Sequence, residues 1–344
     1  MIAIGLDVHT KTSTIAYLDT DTGETKHRKV RTDELPSELD EMDRELCRIA
    51  IEVSSTGVFV ARQLLCYDFD VVVVDAFKAH RIIESQNTVK TDRRDAVALA
   101  KLIATGQADE LAVWVPDEQT LQLRLLTRSR EALVKVGTQL RNQLRALVRA
   151  EGSECRYDDL TGRSGREWMA QFIADLPELA GIACRHLFDA LLDVKARVDE
   201  LGREIVAVAK QCEQAQQLMT INGCGAVLAL SIVAEIGDVS RFRSGGRLRS
   251  YSGLTPRLHQ SAGRSYTGPI TKRGNPHLRR AVVLLAHHVS RSRALKDTRL
   301  KRKHWQVLVK HGPQPARVDL GRRLLSVIYA MLRDGTDFDA EKAA

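Results

Sequence analysis

The stretch Ile2-Ala3-Ile4-Gly5-Leu6-Asp7-Val8-His9 constrains this chain more than any other, because it is an apolar run of strand length with one carboxylate set inside it. An uncompensated acid in a buried strand costs roughly several kcal/mol of lost hydration. A basic partner, a set of hydrogen bonds or a bound cation must offset that cost. Taken alone, Asp7 reads as a strand-end acid capping a turn. A functional role requires further ligands from elsewhere in the chain.

The first third of the sequence supplies candidates. Residues 12–19 and 24–31 are β-rich and are separated by the turn-forming Asp19-Thr20-Asp21-Thr22-Gly23, which predicts three consecutive antiparallel strands. Residues 32–45 have helical spacing, with Leu35, Leu39, Met42 and Leu46 on one face. An apolar strand over 47–54 follows and carries Glu52, an acid with the same peculiarity as Asp7. A short helix over 57–65 leads to Asp70-Val71-Val72-Val73-Val74-Asp75, which reads as a strand buried on both faces. Lys90-Thr91-Asp92-Arg93-Arg94-Asp95-Ala96 then opens a helix that runs through Leu102, with Asp92 and Asp95 on one side of its first turn. Three strands, helix, strand, helix, strand, helix is the order of a ribonuclease H-like α/β domain, here residues 1–112. A helix start would explain Asp92 and Asp95 by themselves. Together Asp7, Glu52, Asp92 and Asp95 form an oxygen-donor set able to hold one or two Mg²⁺ ions.

With 344 residues, the chain is long enough for two or three domains. In residues 113–215, Leu126, Leu133, Leu140 and Leu147 repeat at seven, with Val136 and Leu144 between them. Leu187, Leu191, Val194, Val198, Leu201, Ile205, Val208 and Cys212 continue in steps of four and three. This region is expected to be a long helical coiled-coil arm, paired either within the chain or with a second copy. A Gly-containing connector over 152–181 interrupts it, with one short helix around 167–176.

The basic balance of the chain, Lys+Arg 52 against Asp+Glu 44, becomes informative in residues 216–335. Leu218 to Ala229 has the form of a helix-hairpin-helix, whose Gly223-Cys224-Gly225 turn offers backbone N–H groups to a phosphate or is simply a tight connection. Between Arg241 and Lys303 the only acid is Asp297, among many arginines, which is the footprint of a nucleic-acid surface. A C-terminal helix over 318–332 closes this mainly helical region, and residues 336–344 are expected to be a flexible tail. The cysteines are scattered singly and are expected to be reduced thiols. No apolar run reaches the length of a membrane span and no signal-peptide pattern is present, so a cytoplasmic, nucleoid-associated protein is expected.

Four segments then carry a specific resemblance: Gly5-Leu6-Asp7, Lys90-Thr91-Asp92 with Asp95-Ala96, Tyr251-Ser252-Gly253-Leu254-Thr255-Pro256-Arg257 running on to Ser261-Ala262-Gly263-Arg264, and Ile270-Thr271-Lys272-Arg273-Gly274-Asn275-Pro276-His277-Leu278-Arg279-Arg280. In this order the chain resembles the DEDD transposases of bacterial insertion sequences, bridge-RNA-guided recombinases with a RuvC-like first domain and a serine-bearing second domain. The resemblance implies that Asp7, Glu52, Asp92 and Asp95 bind metal and that Ser261 is the nucleophile. Family members commonly have Ser-Gly where this chain has Ser261-Ala262-Gly263, which leaves Ser265 as the fallback. Arg257, Arg264, Lys272, Arg273, Arg279 and Arg280 surround that serine in sequence as candidate contacts to a scissile phosphate. The resemblance further implies donor and target DNA and a structured bridge RNA as partners. It also implies a homo-oligomer, dimer to tetramer, in which acids and serine come from different subunits.

Three rival readings make different predictions. A metal-dependent, Holliday-junction resolvase-like nuclease would use the four acids and water, with no need for Ser261. A phosphotransferase of the actin or sugar-kinase type also opens on a Gly-x-Asp strand, but a second Gly-rich phosphate loop is missing and the basic second half would serve no purpose. A non-catalytic nucleic-acid binder would lack metal-dependent cleavage.

Overall fold

A computed structural model of the chain describes residues 1–84, 91–261, 264–293, 295 and 298–342. It divides into two compact units, Met1–Asp117 and Glu118–Ala344. No helix among the described residues is long and apolar enough to cross a membrane.

The first unit is built on a five-stranded sheet of order β3-β2-β1-β4-β5. Strands β1 (Ile2–Val8), β2 (Thr12–Asp19) and β3 (Thr25–Arg31) run antiparallel in sequence, while β4 (Cys47–Glu52) and β5 (Asp70–Val74) add parallel to β1. Helix α1 (Leu35–Leu39) precedes β4, and α2 (Ser55–Cys66) joins β4 to β5. Helices α3 (Ala76–Glu84), α4 (Asp92–Ala104) and α5 (Ala108–Leu111) follow β5. Alternation along β1 sends Ile4 and Leu6 to one face, where they meet Leu35, Leu39, Val60 and Leu64 of α1 and α2. Ala3 faces the other way, with Ala50, Val72 and Val74, against Leu99, Leu102 and Ile103 of α4 and the segment beyond. This is the mixed sheet with flanking helices expected of a ribonuclease H-like domain.

Helix α4 comes down almost onto the backbone of β1. A Cβ added at Gly5 would lie 1.9 Å from the Ala96 carbonyl oxygen and 2.6 Å from the Ala100 nitrogen. Those are main-chain atoms of a helix and cannot step aside, so Gly5→Ala is expected to lift α4 from the sheet. The cost is about 3 kcal/mol, at the upper end of overpacking penalties, and is read as a lowered urea midpoint for unfolding of the first unit.

Two expectations in this unit are corrected. The helix over 32–45 ends at Leu39 after a 3-10 turn at Thr32–Glu34, and Leu46 is exposed rather than on a buried face. The Asp43 carboxylate accepts from Glu45 N, and Arg44 reaches the Tyr67 carbonyl, so local polar bonds replace the next helical turn. Glu52 is exposed at the end of β4, unlike half-buried Asp7. Val72, Val73 and Val74 of β5 are buried, on both faces, although β5 is the last strand of the sheet. Its outer edge is closed by the Val74–Ala112 bridge and by Val113 N donating to Val73 O.

The second unit begins with α6 (Glu118–Ala150), then α7 (Arg163–Asp175) and α8 (Glu178–Gln211). Helices α6 and α8 pair antiparallel within the chain: Gly137 sits beside Val194 and Leu191, and Gly202 beside Arg130. Leu191, Val198 and Ile205 are buried at steps of seven, as the apolar seam predicts, but Val136 is exposed and its neighbour Gly137 is buried instead. Helices α9 (Glu213–Met219) and α10 (Ala226–Ile236) flank the glycine turn, and α10 lies against both long helices. The long helices and the basic half therefore belong to one compact unit. After α11 (Gly245–Ser252) the chain forms a two-stranded antiparallel hairpin, β6 (Pro256–Ser261) and β7 (Arg264–Ile270), which sequence periodicity did not anticipate. Helices α12 (Pro276–Arg291), α13 (Arg299–His311) and α14 (Pro313–Asp334) complete it. The segment beyond α14 is docked at its start, since Phe338 packs on the core and its N–H donates to Thr220 Oγ1, 2.9 Å away. Burial pushes the Cys224 thiol up to about 12, which leaves it protonated and inert, and all six cysteines are free thiols.

Candidate functional site

Alternation along β1 turns Asp7 toward the same face as Ala3, and α4 delivers Asp92 and Asp95 to that face from its first turn. Thr91 caps α4 by accepting from Arg94 N, which fixes where the two acids begin. Asp7, His9 and Asp92 each offer a donor atom, and these atoms all lie within 4.8 Å of one another. His9 Nε2 is 3.2 Å from Asp7 Oδ2 and 3.9 Å from Asp92 Oδ1, and Lys29 Nζ on β3 is 3.3 Å from Asp92 Oδ2.

The Asp7 side chain is only 18% exposed. Burial pushes its carboxyl above the usual range; His9 opposes that shift, while the charges of Asp92 and Asp95 add to it. Converging oxygen donors, one of them on a carboxyl that burial disfavours as an anion, are what a hard divalent cation neutralises, so the residues present fit one. Asp7 and Asp92 would hold it, with His9 steadying Asp7. Glu52 stands outside this trio. The Leu6–Ile51 register sets it opposite Asp7 on the neighbouring strand, and alternation gives it the same face, but its residue is exposed. Sequence reasoning missed His9 and Lys29. The signal for His9 was its position two residues beyond Asp7, on the same side of an extended chain.

In the second unit, Ser261 ends β6 and pairs with Arg264, the first residue of β7, while Ser265 pairs with Gln260. Ala262 and Gly263 lie outside the described residues, as do Lys90 and Asp297. The side chains of Ser261, Arg264 and Ser265 are likewise outside the description. The stem of the hairpin is tied tightly. Gly253 (φ 69°) and Gly274 (φ 117°) lie so close to neighbouring backbone that a Cβ would come within 2.4 Å of Arg273 O and 2.3 Å of Tyr251 O, respectively. Arg279 donates to the carbonyls of Ser252 and Lys272, bridging the two sides of the stem.

Beneath the stem lies a buried polar cluster that the sequence did not reveal. Glu235, 1% exposed in the apolar helix α10, accepts two 2.7 Å bonds from Arg128 and one of 2.6 Å from Asn275 Nδ2. Burial pushes the Glu235 carboxyl up, but the bonds from Arg128 and Asn275 outweigh it and hold the group below its usual range. Asn275 also donates to Tyr251 Oη, and its Oδ1 caps α12 by accepting from His277 N and Leu278 N. The available hint was that Glu235 is the one charged residue in the run 226–236.

The candidate phosphate contacts separate into two groups. Arg257, Lys272 and Arg273 are exposed. Arg279 serves the stem, and Arg280 pairs with Glu131 at 2.7 Å, where His277 also bonds at 2.8 Å. Gly223 of the glycine turn backs onto His288 of α12, and the space around Gly225 is open.

Comparison with known proteins matches both units. A transposase family model of the DEDD IS110 type matches residues 4–151, and one described as Transposase IS116/IS110/IS902 family matches residues 215–301. A Pseudomonas aeruginosa protein described as a probable family 20 transposase is 27% identical over 83% of this chain and 84% of its own length. The transposase for insertion sequence element IS1111A of Coxiella burnetii is 30% identical over 71% of this chain and 66% of its own length. The pilin gene-inverting protein of Moraxella bovis is 24% identical over 83% of this chain and 81% of its own length.

Proposed function

The chain belongs to the IS116/IS110/IS902 family of transposases, and from that membership we propose that it cuts and rejoins the DNA of an insertion sequence through Ser261, with Mg²⁺ bound at Asp7 and Asp92. The observation that carries this reading is the convergence of Asp7, His9 and Asp92 under the first turn of α4. The metal supplies charge neutralisation at the phosphate oxygens when bound.

Ser261 Oγ forms a bond to the DNA phosphorus as the bond from phosphorus to the leaving deoxyribose oxygen breaks. The serine loses its proton, the leaving oxygen takes one up, and a phosphoserine linkage preserves the bond energy for rejoining. Exposed Arg257, Lys272 and Arg273 bind the phosphate flanks. Asp95 adds negative charge around Asp7, and His9 orients the Asp7 carboxylate. In this reading the protein works as a homo-oligomer in the cytoplasm, at the nucleoid, with a structured bridge RNA specifying its DNA partners.

Incubation with end-labelled insertion-sequence DNA, followed by denaturing electrophoresis, tests the reading. A covalent protein–DNA species is expected with Mg²⁺ and none after chelation by EDTA. Free DNA ends without a covalent species would favour the junction-resolving nuclease and sink the serine mechanism.

A further inference from the structure

Helix α13 carries a surface that the proposed chemistry does not use. Its inner side is anchored by Leu300 and His304, both buried, with His304 Nδ1 3.2 Å from the Ala316 carbonyl oxygen. Lys301 also turns inward and donates to the Ser290 carbonyl. Steps of three and four set Arg299, Arg302, Trp305 and Val309 along the opposite side, and Lys310 follows Val309 in the last turn. All five are exposed, Trp305 at 64% and Val309 at 71%. No acid pairs with these three cations among the described residues.

An indole left in water costs hydrophobic free energy, and a row of unopposed cations resists packing against a second copy of itself. Duplex DNA would satisfy the cations through its phosphates but leave the ring idle. Unpaired nucleotides satisfy both, because each has a π-face for the indole and a phosphate for the flanking cations.

We infer that the outer face of α13 binds single-stranded DNA, with a base stacked on Trp305 and the adjoining phosphates on Arg299, Arg302 and Lys310. The inference rests on the reading of the chain as a DNA-acting transposase, whose strand cleavage and exchange expose unpaired nucleotides. The aromatic contact tolerates any base, so the face grips displaced strand without reading its sequence.

Anisotropy of a labelled thymidine oligonucleotide with the full-length protein tests it. Trp305→Ala is expected to weaken binding about tenfold, within the range for one stacked base, and Trp305→Phe to retain most of it. Replacing Arg302 and Lys310 together by glutamine is expected to lower the slope of log affinity against log salt by about 1.4, or about 0.7 for each lost phosphate contact. Because Trp305 is exposed, folding is unaffected, and unchanged thermal melting confirms that. The inference is overturned if Trp305→Ala binds the oligonucleotide as tightly as the unaltered protein. Equal loss on duplex and single strand would overturn it too, as would a loss confined to an RNA oligonucleotide. A smaller oligomeric mass for Trp305→Ala with no change in DNA affinity would assign the face to another protein chain instead. Failure of the transposase reading is separable, since it shows as absent metal-dependent cleavage by the unaltered protein whatever Trp305→Ala does.

Discussion

Ser261→Ala protein is expected to yield no covalent protein–DNA species, with turnover reduced by at least about 10⁴-fold, because loss of a covalent nucleophile removes the reaction path itself. The serine ends β6 opposite the first residue of β7, at the far end of a hairpin whose stem is held by Gly253, Gly274 and Arg279. None of those stem contacts involves position 261, so thermal melting and DNA binding are expected to be unchanged. Ser265→Ala, four residues on, is expected to retain the covalent species. Adducts that persist in Ser261→Ala and vanish in Ser265→Ala would transfer the role to the second serine.

Asp7→Asn is expected to abolish cleavage while stabilising the metal-free protein. Partners one shell outside a metal are worth about 10- to 100-fold, so losing the central donor should cost well over 100-fold in cleavage. The stability effect follows from the direction of the Asp7 shift. Its carboxyl is raised in the folded protein above the ordinary 3.8, chiefly by burial. The folded state therefore holds this proton to higher pH than the unfolded chain, and stability falls as pH rises through that window. Above it the penalty persists in full, and asparagine removes it. In EDTA near neutral pH the variant should melt above the unaltered protein, and below the ordinary carboxylate range the two should converge. Adding Mg²⁺ should raise the melting temperature of the unaltered protein and leave the variant unmoved, since only the former gains binding free energy in the folded state. A variant that melts lower in EDTA would show that Asp7 is a structural acid satisfied by His9.

The sheet of the first unit was legible because its causes are local. The apolar run of β1, the valine run of β5 and the helix start at Lys90 to Ala96 each announce an element within a few residues. The helix over 32–45 was read too long because Asp43 makes an equally local polar turn that apolar spacing does not register. The hairpin bearing Ser261 was hidden for a different reason. Pro256 to Ile270 is polar on both strands, so its order comes from cross-strand backbone bonds and a stem clasped by Arg279.

By itself, the sequence determined the acids at strand and helix ends, the antiparallel opening of the sheet, the seven-residue seam of α8 and the basic stretch. Each is a periodicity, a cap or a charge count, and each is settled by neighbours in the chain. Only the tertiary structure decided which charges meet. It joined Lys29 to Asp92, Arg128 to Glu235 and Arg280 to Glu131, drew Arg279 into the stem, and left Arg302, Trp305 and Lys310 facing water. Those outcomes depend on which faces of distant elements come together. A cation looks the same in sequence whether it ends on a buried carboxylate or on a surface open to DNA.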